Sequence, residues 1–225
     1  LIRSISDFTE KQVVNFGYQG SFVRFPAWIN IDYFLNADIK RSTSDTFKII
    51  FVGSVTERKN PKIIIESLET INKDISLEII GQTPNLKYLK KLNNLISSSK
   101  HSDRIILTPY INSEELIKKY SSANLFILPS KSEGLGRVVI EAQATACPVL
   151  VSSGTGIVDL IIESETGYIF DNNNREDLKE KIQNIIENYD VAIQTGLNSR
   201  DFVKNNQSIE NFEFGYRKLF DLASA

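Results

Sequence analysis

From Thr46 onward, short β-branched and apolar runs alternate with stretches whose apolar residues recur at helical spacing. This alternation predicts an α/β fold with parallel strands joined by crossover helices. The strand runs are continuously apolar, as expected where helices cover both faces of a sheet. The predicted strands are 47–53, 75–81, 104–108, 125–128, 148–151 and 167–170.

Helical patterns occupy 61–72, 85–98, 113–121, 136–146 and 175–188, with a shorter one at 157–162. Pro61 suits a first helical position, and Ser113 is predicted to cap the helix that it begins. Two further helices are predicted after residue 190. In the last of them a set of apolar residues shares one face, which we expect to pack on the core: Phe212, Tyr216, Leu219 and Phe220.

The first 45 residues do not show this alternation of strands and helices. They end in a polar stretch at 40–45 that is typical of a linker. We therefore predict an interdomain segment, or the end of a neighbouring domain, at 1–45 and the sheet domain with its C-terminal helices at 46–225. The chain begins with Leu1 and contains no methionine, which suggests an excised segment.

Composition excludes several classes of protein. The net charge is -2 with both signs interspersed, so no basic field exists to hold a nucleic acid or an anionic membrane. With Cys147 and His101 as the single residues of their types, neither an intramolecular disulfide nor a zinc cluster is expected, and a cytoplasmic location fits. No apolar run reaches the roughly 18 residues of a membrane span.

In an open parallel sheet, ligands bind beyond the carboxyl ends of the strands, so the loops there are the candidate site. The first loop, 53–61, begins with Gly53 and carries Arg58 and Lys59. Glycine allows close backbone approach and the two cations suit phosphate oxygens. A solvated turn is the alternative explanation of this loop alone.

The second loop, 129–137, places Gly134 and Gly136 at the start of a helix, where unpaired backbone N–H groups form an anion site. Arg137 lies in the first turn, either near an anion or as a surface arginine. Glu133 precedes the helix, and Glu141 lies inside it among small apolar residues, where either ribose hydroxyls or backbone amides would satisfy it. A third glycine-rich loop, 152–156, opens onto the same edge.

The dinucleotide fingerprint and the Walker A pattern are both absent, which disfavours NAD enzymes and P-loop NTPases. The ordered loops instead resemble the C-terminal, donor-binding domain of retaining GT-B glycosyltransferases of the group 1 family (family 4). The segments that carry the resemblance are FVGSVTERKNPKIIIESL at 51–68, LEIIG at 77–81, RIILTPYINSEELIKKYSSANLFILPSKSEGLGRVVIEA at 104–142 and ACPVLVSSGTGIVDLIIESETGYIF at 146–170. The resemblance implies a three-layer, Rossmann-like domain that is one half of a GT-B fold.

The most specific element is the pair of glutamates separated by seven residues, Glu133 and Glu141. The resemblance implies that Glu133 lies near the transferred sugar and that Glu141 holds the ribose. It also implies phosphate contacts from three backbone amides and base contacts from the backbone of a further loop. The amides are those of Gly134, Leu135 and Gly136, and the base contacts are those of Tyr110 and Ile111.

In the first loop, Lys59 occupies the family's lysine position, but Ser54 stands after Gly53 where the family commonly has arginine. Diphosphate affinity or donor choice is therefore expected to differ, unless Arg58 reaches the vacated space. The resemblance further implies that Lys59 and the 134–136 amides stabilise the charge that grows on the leaving diphosphate.

By the same resemblance, the full enzyme transfers a hexose from a nucleoside diphosphate sugar to a glycan or lipid-linked acceptor, with retention and without a metal or other cofactor. The acceptor-binding N-terminal domain is missing from these residues. We therefore expect the isolated domain to be inactive, and any peripheral membrane association to belong to the absent half. Two alternatives remain, a nucleotide-sugar epimerase of the same fold and a degenerate nucleotide-sugar-binding or scaffold domain.

Overall fold

The computed structural model of the chain describes residues 1–25, 27–39, 41 and 46–224. The predicted linker at 40–45 lies outside the described residues except for Arg41, and so does Pro26. No helix among the described ranges is both long and apolar enough to cross a membrane.

The N-terminal residues form a small βαβ unit of their own. Strand β1 (Ile2–Ser4) and strand β2 (Phe22–Arg24) pair in parallel, and helix α1 (Asp7–Asn15) connects them. Ser6 caps α1: its side chain accepts from the N–H of Thr9 while the Thr9 side chain accepts from the N–H of Ser6, which satisfies two donors at the helix start. A short helix, α2 (Asp32–Leu35), follows.

The main sheet has six strands, all parallel to their neighbours, in the spatial order β5-β4-β3-β6-β7-β8. This confirms the predicted strands, each to within one residue at either end. Strands β4 and β5 lie on one side of β3, and β6, β7 and β8 lie on its other side. The strands are β3 (Phe47–Val52), β4 (Ile75–Ile80), β5 (Ile105–Thr108), β6 (Leu125–Leu128), β7 (Val149–Ser152) and β8 (Tyr168–Phe170).

Helices cover both faces of this sheet, so the predicted three-layer architecture is confirmed. One buried cluster joins α3, α4 and α7 to the sheet, and a second joins α5, α6 and α8 to its other face. The helices are α3 (Lys62–Leu68), α4 (Leu86–Ser98), α5 (Ser113–Ser122), α6 (Arg137–Ala144), α7 (Arg175–Glu187), α8 (Tyr189–Asn206) and α9 (Ile209–Ser224).

Several local details differ from the predictions. Asn112, rather than Ser113, caps α5, because from that position its side chain and that of Glu115 cap each other's backbone N–H. Helix α3 begins at Lys62, with Pro61 in the N-cap position rather than the first helical position, and it ends at Leu68 instead of residue 72. The short helix after β7 is a 3₁₀ helix, Gly156–Leu160.

The last helix has the predicted apolar face, but its packing partner is not the main core. Phe212 and Tyr216 of α9 contact the ring of Phe25, which directly follows β2, with ring centroids 6.0 and 5.0 Å apart. Phe220, predicted to be buried, is 64% exposed. Gly215 permits this approach, since a Cβ there would lie 2.4 Å from the Phe25 ring.

Candidate functional site

The candidate site lies where the sheet reverses its winding, between β3 and β6. At such a switch point the loops that follow two adjacent strands diverge and leave a crevice at the carboxyl edge. Here those loops are 53–61 after β3 and 129–136 after β6. The two are joined directly, because the N–H of Lys131 donates to the carbonyl of Arg58 at 2.8 Å.

The structure brings Lys59 and Glu133 together across this crevice. The ammonium nitrogen of Lys59 lies 2.5 Å from Oε2 of Glu133, and the hydroxyl of Ser130 donates to the same oxygen at 3.1 Å. Lys59 is 8% exposed, so its charge is largely withdrawn from water. A partly buried ammonium held by one carboxylate remains able to donate further hydrogen bonds to an incoming anion.

The carbonyls of the second loop at Glu133 and Gly134 accept hydrogen bonds, whereas the N–H groups that follow Glu133 have no acceptor among the described residues. The carbonyl of Glu133 accepts from the N–H of Gly156 at 2.8 Å, and the carbonyl of Gly134 accepts from the hydroxyl of Ser6 at 2.8 Å. Within the described part of the chain, the backbone N–H groups of residues 134–138 donate to no acceptor. These donors, which we call the amide cradle, span the start of α6, where the helix dipole favours negative charge.

Gly136 sets the direction of the amide cradle. It precedes α6 with φ of 83°, a left-handed backbone conformation that residues other than glycine rarely adopt. A Cβ at this position would also lie 3.0 Å from the Leu128 side chain. The turn from β6 into α6 therefore depends on glycine.

The third glycine-rich loop supports the second rather than lining the crevice by itself. Its Gly154 carbonyl accepts from the N–H of Glu133 at 3.2 Å, and the hydroxyl of Ser152 donates to the carbonyl of Ser130. Gly156 has no room for a side chain, because a Cβ would lie 1.9 Å from the Gly134 carbonyl oxygen. The third loop thus holds the backbone on which the amide cradle depends.

Glu141 lies in the second turn of α6, partly buried beside Tyr120 and Arg137. Burial raises the pKa of this carboxyl group, and the Arg137 guanidinium and the Tyr120 hydroxyl oppose that rise only in part. The Tyr120 hydroxyl is a hydrogen-bond partner of this carboxylate. A partly buried carboxylate of this kind can accept further hydrogen bonds from a ligand's hydroxyl groups.

Of the remaining predicted residues, Arg58 contacts the second loop, whereas Tyr110 and Ile111 lie farther along the same edge of the sheet. The guanidinium of Arg58 donates to the carbonyl of Ser132 at 2.6 Å, next to Glu133. Ser54 is exposed. Tyr110 is 75% exposed and Ile111 packs on the core, both just after β5, which lies two strand spacings from β3, or about 10 Å.

Sequence reasoning missed two residues that contact the site, Ser130 and Ser6. Ser130 carries a local signal, since a hydroxyl three residues before a loop carboxylate suits a side-chain hydrogen bond. Ser6 carries only the pattern of a helix cap, which does not reveal its contact with Gly134. In the described part of the chain no three His, Cys, Asp or Glu side chains converge as a metal site would require.

Comparison with known proteins identifies the family. The model of the family "Glycosyl transferases group 1" matches residues 35–206. An uncharacterized glycosyltransferase of Methanocaldococcus jannaschii is 29% identical over 187 residues, which are 83% of this chain and 51% of that protein. The capsular polysaccharide biosynthesis glycosyltransferase CapM of Staphylococcus aureus is 28% identical over 165 residues, 72% of this chain and 42% of CapM.

The chain therefore spans about half the length of the curated relatives that it matches. A solved structure of HepE from Anabaena, in complex with UDP-glucose, superposes with a TM-score of 0.84 at 14% identity, over 100% of this chain and 64% of HepE. At that identity the likeness shows a shared fold. Because the family model covers well over half of its residues, the chain belongs to the glycosyl transferases group 1 family, and its α/β domain has the GT-B type of fold.

Proposed function

We propose that this chain binds the nucleoside diphosphate sugar donor of a retaining hexosyltransferase, a family 4 enzyme of group 1. The amide cradle at residues 134–138 is the observation that carries the proposal. Unpaired N–H groups at a helix N-terminus, with the Lys59 ammonium held by Glu133 across the crevice, suit the two phosphates of such a donor.

In this proposal the cradle and Lys59 stabilise the negative charge that develops on the departing diphosphate. Donors that are already oriented need no rearrangement as that charge grows, which is why they lower the barrier. This role needs no resident cofactor or metal. Glu133 orients the sugar hydroxyls rather than attacking the sugar, because its carboxylate is already engaged by Lys59 and Ser130.

The nucleoside would extend from the phosphates toward Glu141 and β5. Glu141 accepts hydrogen bonds from the ribose hydroxyls, and the backbone at Tyr110 and Ile111 contacts the base. Gly53 allows close approach at the end of β3, and Arg58 adds positive charge at the mouth of the crevice. The complex of HepE with UDP-glucose, a protein of the same fold, supports a donor of this class.

The acceptor is a glycan or a lipid-linked sugar in polysaccharide or glycoconjugate biosynthesis. The name of CapM, which refers to capsular polysaccharide, supports this class. We place the acceptor site on an N-terminal domain that packs against residues 1–45, with transfer in the cytoplasm and any peripheral membrane contact on that domain. The isolated chain would bind donor without turning it over, since a closed cleft between two domains excludes water.

Calorimetry with UDP, GDP, ADP and CDP tests the binding step. One of them should bind, and the Lys59→Ala variant should bind it more weakly. If none of the four binds, the proposal is wrong. Product analysis with the full-length protein then distinguishes glycosyl transfer from epimerisation of the donor sugar.

A second candidate is a donor-binding domain that has lost catalysis. It is favoured by Ser54, which is exposed and stands where the family resemblance predicts an arginine. The two candidates differ in turnover, not in binding. Full-length protein that binds a sugar nucleotide but neither transfers nor hydrolyses it would support this second candidate.

A further inference from the structure

Ser6 belongs to the N-terminal βαβ unit, yet its hydroxyl reaches the candidate site. It is fully buried, and its Oγ donates to the carbonyl oxygen of Gly134 at 2.8 Å, across a sequence separation of 128 residues. The same Oγ accepts from the N–H of Thr9 at 3.2 Å as the cap of α1. One hydroxyl group thus joins the start of α1 to the second loop.

The geometry of the peptide bond gives this contact a consequence. The carbonyl of Gly134 and the N–H of Leu135 belong to one planar trans peptide, so they point in opposite directions. Holding the carbonyl toward Ser6 therefore directs the Leu135 N–H to the other side. That N–H belongs to the amide cradle and has no acceptor within the described residues.

The carbonyl side of this peptide is closely packed. A Cβ added to Gly156 would lie 1.9 Å from the Gly134 carbonyl oxygen and 2.3 Å from Oγ of Ser6. The unit that carries Ser6 is itself fixed, because the N–H of Asp7 donates to Asp159 at 2.5 Å and Arg24 lies 3.8 Å from the same carboxylate. The peptide cannot rotate freely while these contacts persist.

We infer that Ser6 is a positioning residue for diphosphate binding: its hydrogen bond to the Gly134 carbonyl aims the Leu135 N–H into the crevice. This inference rests on the proposed function and adds a residue from outside the sheet domain to the donor site. The N-terminal unit is then part of the binding site and not only a connection to it.

The test compares three variants of this chain by calorimetry with the tightest of UDP, GDP, ADP and CDP, and by thermal unfolding. Ser6→Ala removes the donor to Gly134 and the cap of α1. Ser6→Gly removes the same donor, but glycine is a tolerated cap, so it preserves the helix better. Thr9→Val removes the partner of Ser6 in the capping box and leaves the Ser6–Gly134 hydrogen bond.

Both Ser6 variants should bind the nucleotide about 3- to 10-fold more weakly, the effect of losing one neutral hydrogen bond. Thr9→Val should bind like the wild type even if its melting temperature falls. Equal affinity of Ser6→Gly and wild type would overturn the inference, and so would an equal loss in Thr9→Val, which would indicate a purely structural role. Absence of binding by the wild type would contradict the proposed function itself.

Discussion

The ammonium group of Lys59 and the carboxylate of Glu133 are 2.5 Å apart, and both side chains are largely shielded from water. In the proposed function, an arriving diphosphate meets a cation that already has a partner. Lys59 must share its hydrogen bonds between the phosphate and Glu133. The two residues should consequently respond in opposite ways when each is replaced.

Replacing Lys59 by alanine should weaken binding of the preferred nucleoside diphosphate by about 10- to 100-fold, the range for loss of a charge-assisted hydrogen bond. Calorimetry measures the change. Lys218→Ala, which removes an exposed lysine from α9, is the matched control and should bind normally. Unchanged affinity of Lys59→Ala would show that Lys59 does not contact the phosphates.

Replacing Glu133 by glutamine should tighten binding of the same nucleoside diphosphate by several-fold, because it removes a negative charge beside the phosphates and releases Lys59. Transfer by the full-length protein should nevertheless fall if this carboxylate orients the sugar, as proposed. Calorimetry and a transfer assay report the two effects separately. Weaker nucleotide binding by Glu133→Gln would contradict the assumed competition for Lys59.

Glu141→Gln should stabilise the fold at neutral pH while weakening nucleotide binding. Burial raises the pKa of Glu141 in the folded chain, so ionising this carboxyl group costs more in the folded state than in the unfolded state. That penalty is present above the raised pKa and disappears as the pH falls below the ordinary value of 4.5.

Chemical denaturation at pH 7 and pH 4 checks this sign. The glutamine variant should have the higher free energy of unfolding at pH 7, and the difference should shrink at pH 4. Its affinity for the nucleotide should fall about tenfold, as for a lost hydrogen bond to a charged group. A variant that is less stable at pH 7 would show that Glu141 stabilises the fold, against the prediction.

Gly156→Ala should impair both stability and binding, because a Cβ there collides with the Gly134 carbonyl. We expect a loss of about 1–3 kcal/mol in the free energy of unfolding. Gly196→Ala is the control: its Cβ would lie 2.2 Å from the Ala146 carbonyl, away from the crevice. Both variants should unfold more easily, but only Gly156→Ala should bind nucleotide more weakly in its folded state.

Ser54→Arg should strengthen diphosphate binding. Ser54 is exposed directly after Gly53, so an arginine can extend there without displacing buried groups. A guanidinium that reaches a phosphate oxygen should raise affinity about tenfold or more. Ser54→Gln supplies length without charge and should leave the affinity unchanged. An equal gain in both variants would point to packing rather than charge.

Much of the fold could be predicted, because continuous apolar runs such as that of β3 identify buried strands without reference to distant residues. The carboxyl-end rule also places the loops of Lys59 and Glu133 at one edge. Their contact, however, depends on the order in which the strands pair. The residues of 47–53 and 125–128 do not by themselves predict that β3 and β6 are neighbours in the sheet.

The contacts that could not be predicted join surfaces from distant parts of the chain. The apolar face of α9 was recognised, but a helix face does not specify what covers it, and Phe25 rather than the main core packs there. The contact of Ser6 could not be predicted for the same reason. The sequence around Ser6 identifies the start of a helix, but it does not identify Gly134, 128 residues away, as the hydrogen-bond partner. At α5, Asn112 and Ser113 are both good caps, and the position of Glu115 decides between them.

The packing of α9 on Phe25 joins the last described helix to the N-terminal βαβ unit. Phe212 and Tyr216 hold the ring of Phe25, and the guanidinium of Arg3 lies 4.4 Å from the centre of that ring. Because the same N-terminal unit carries Ser6, we expect removal of the last helix to weaken the support of the Ser6 contact with Gly134.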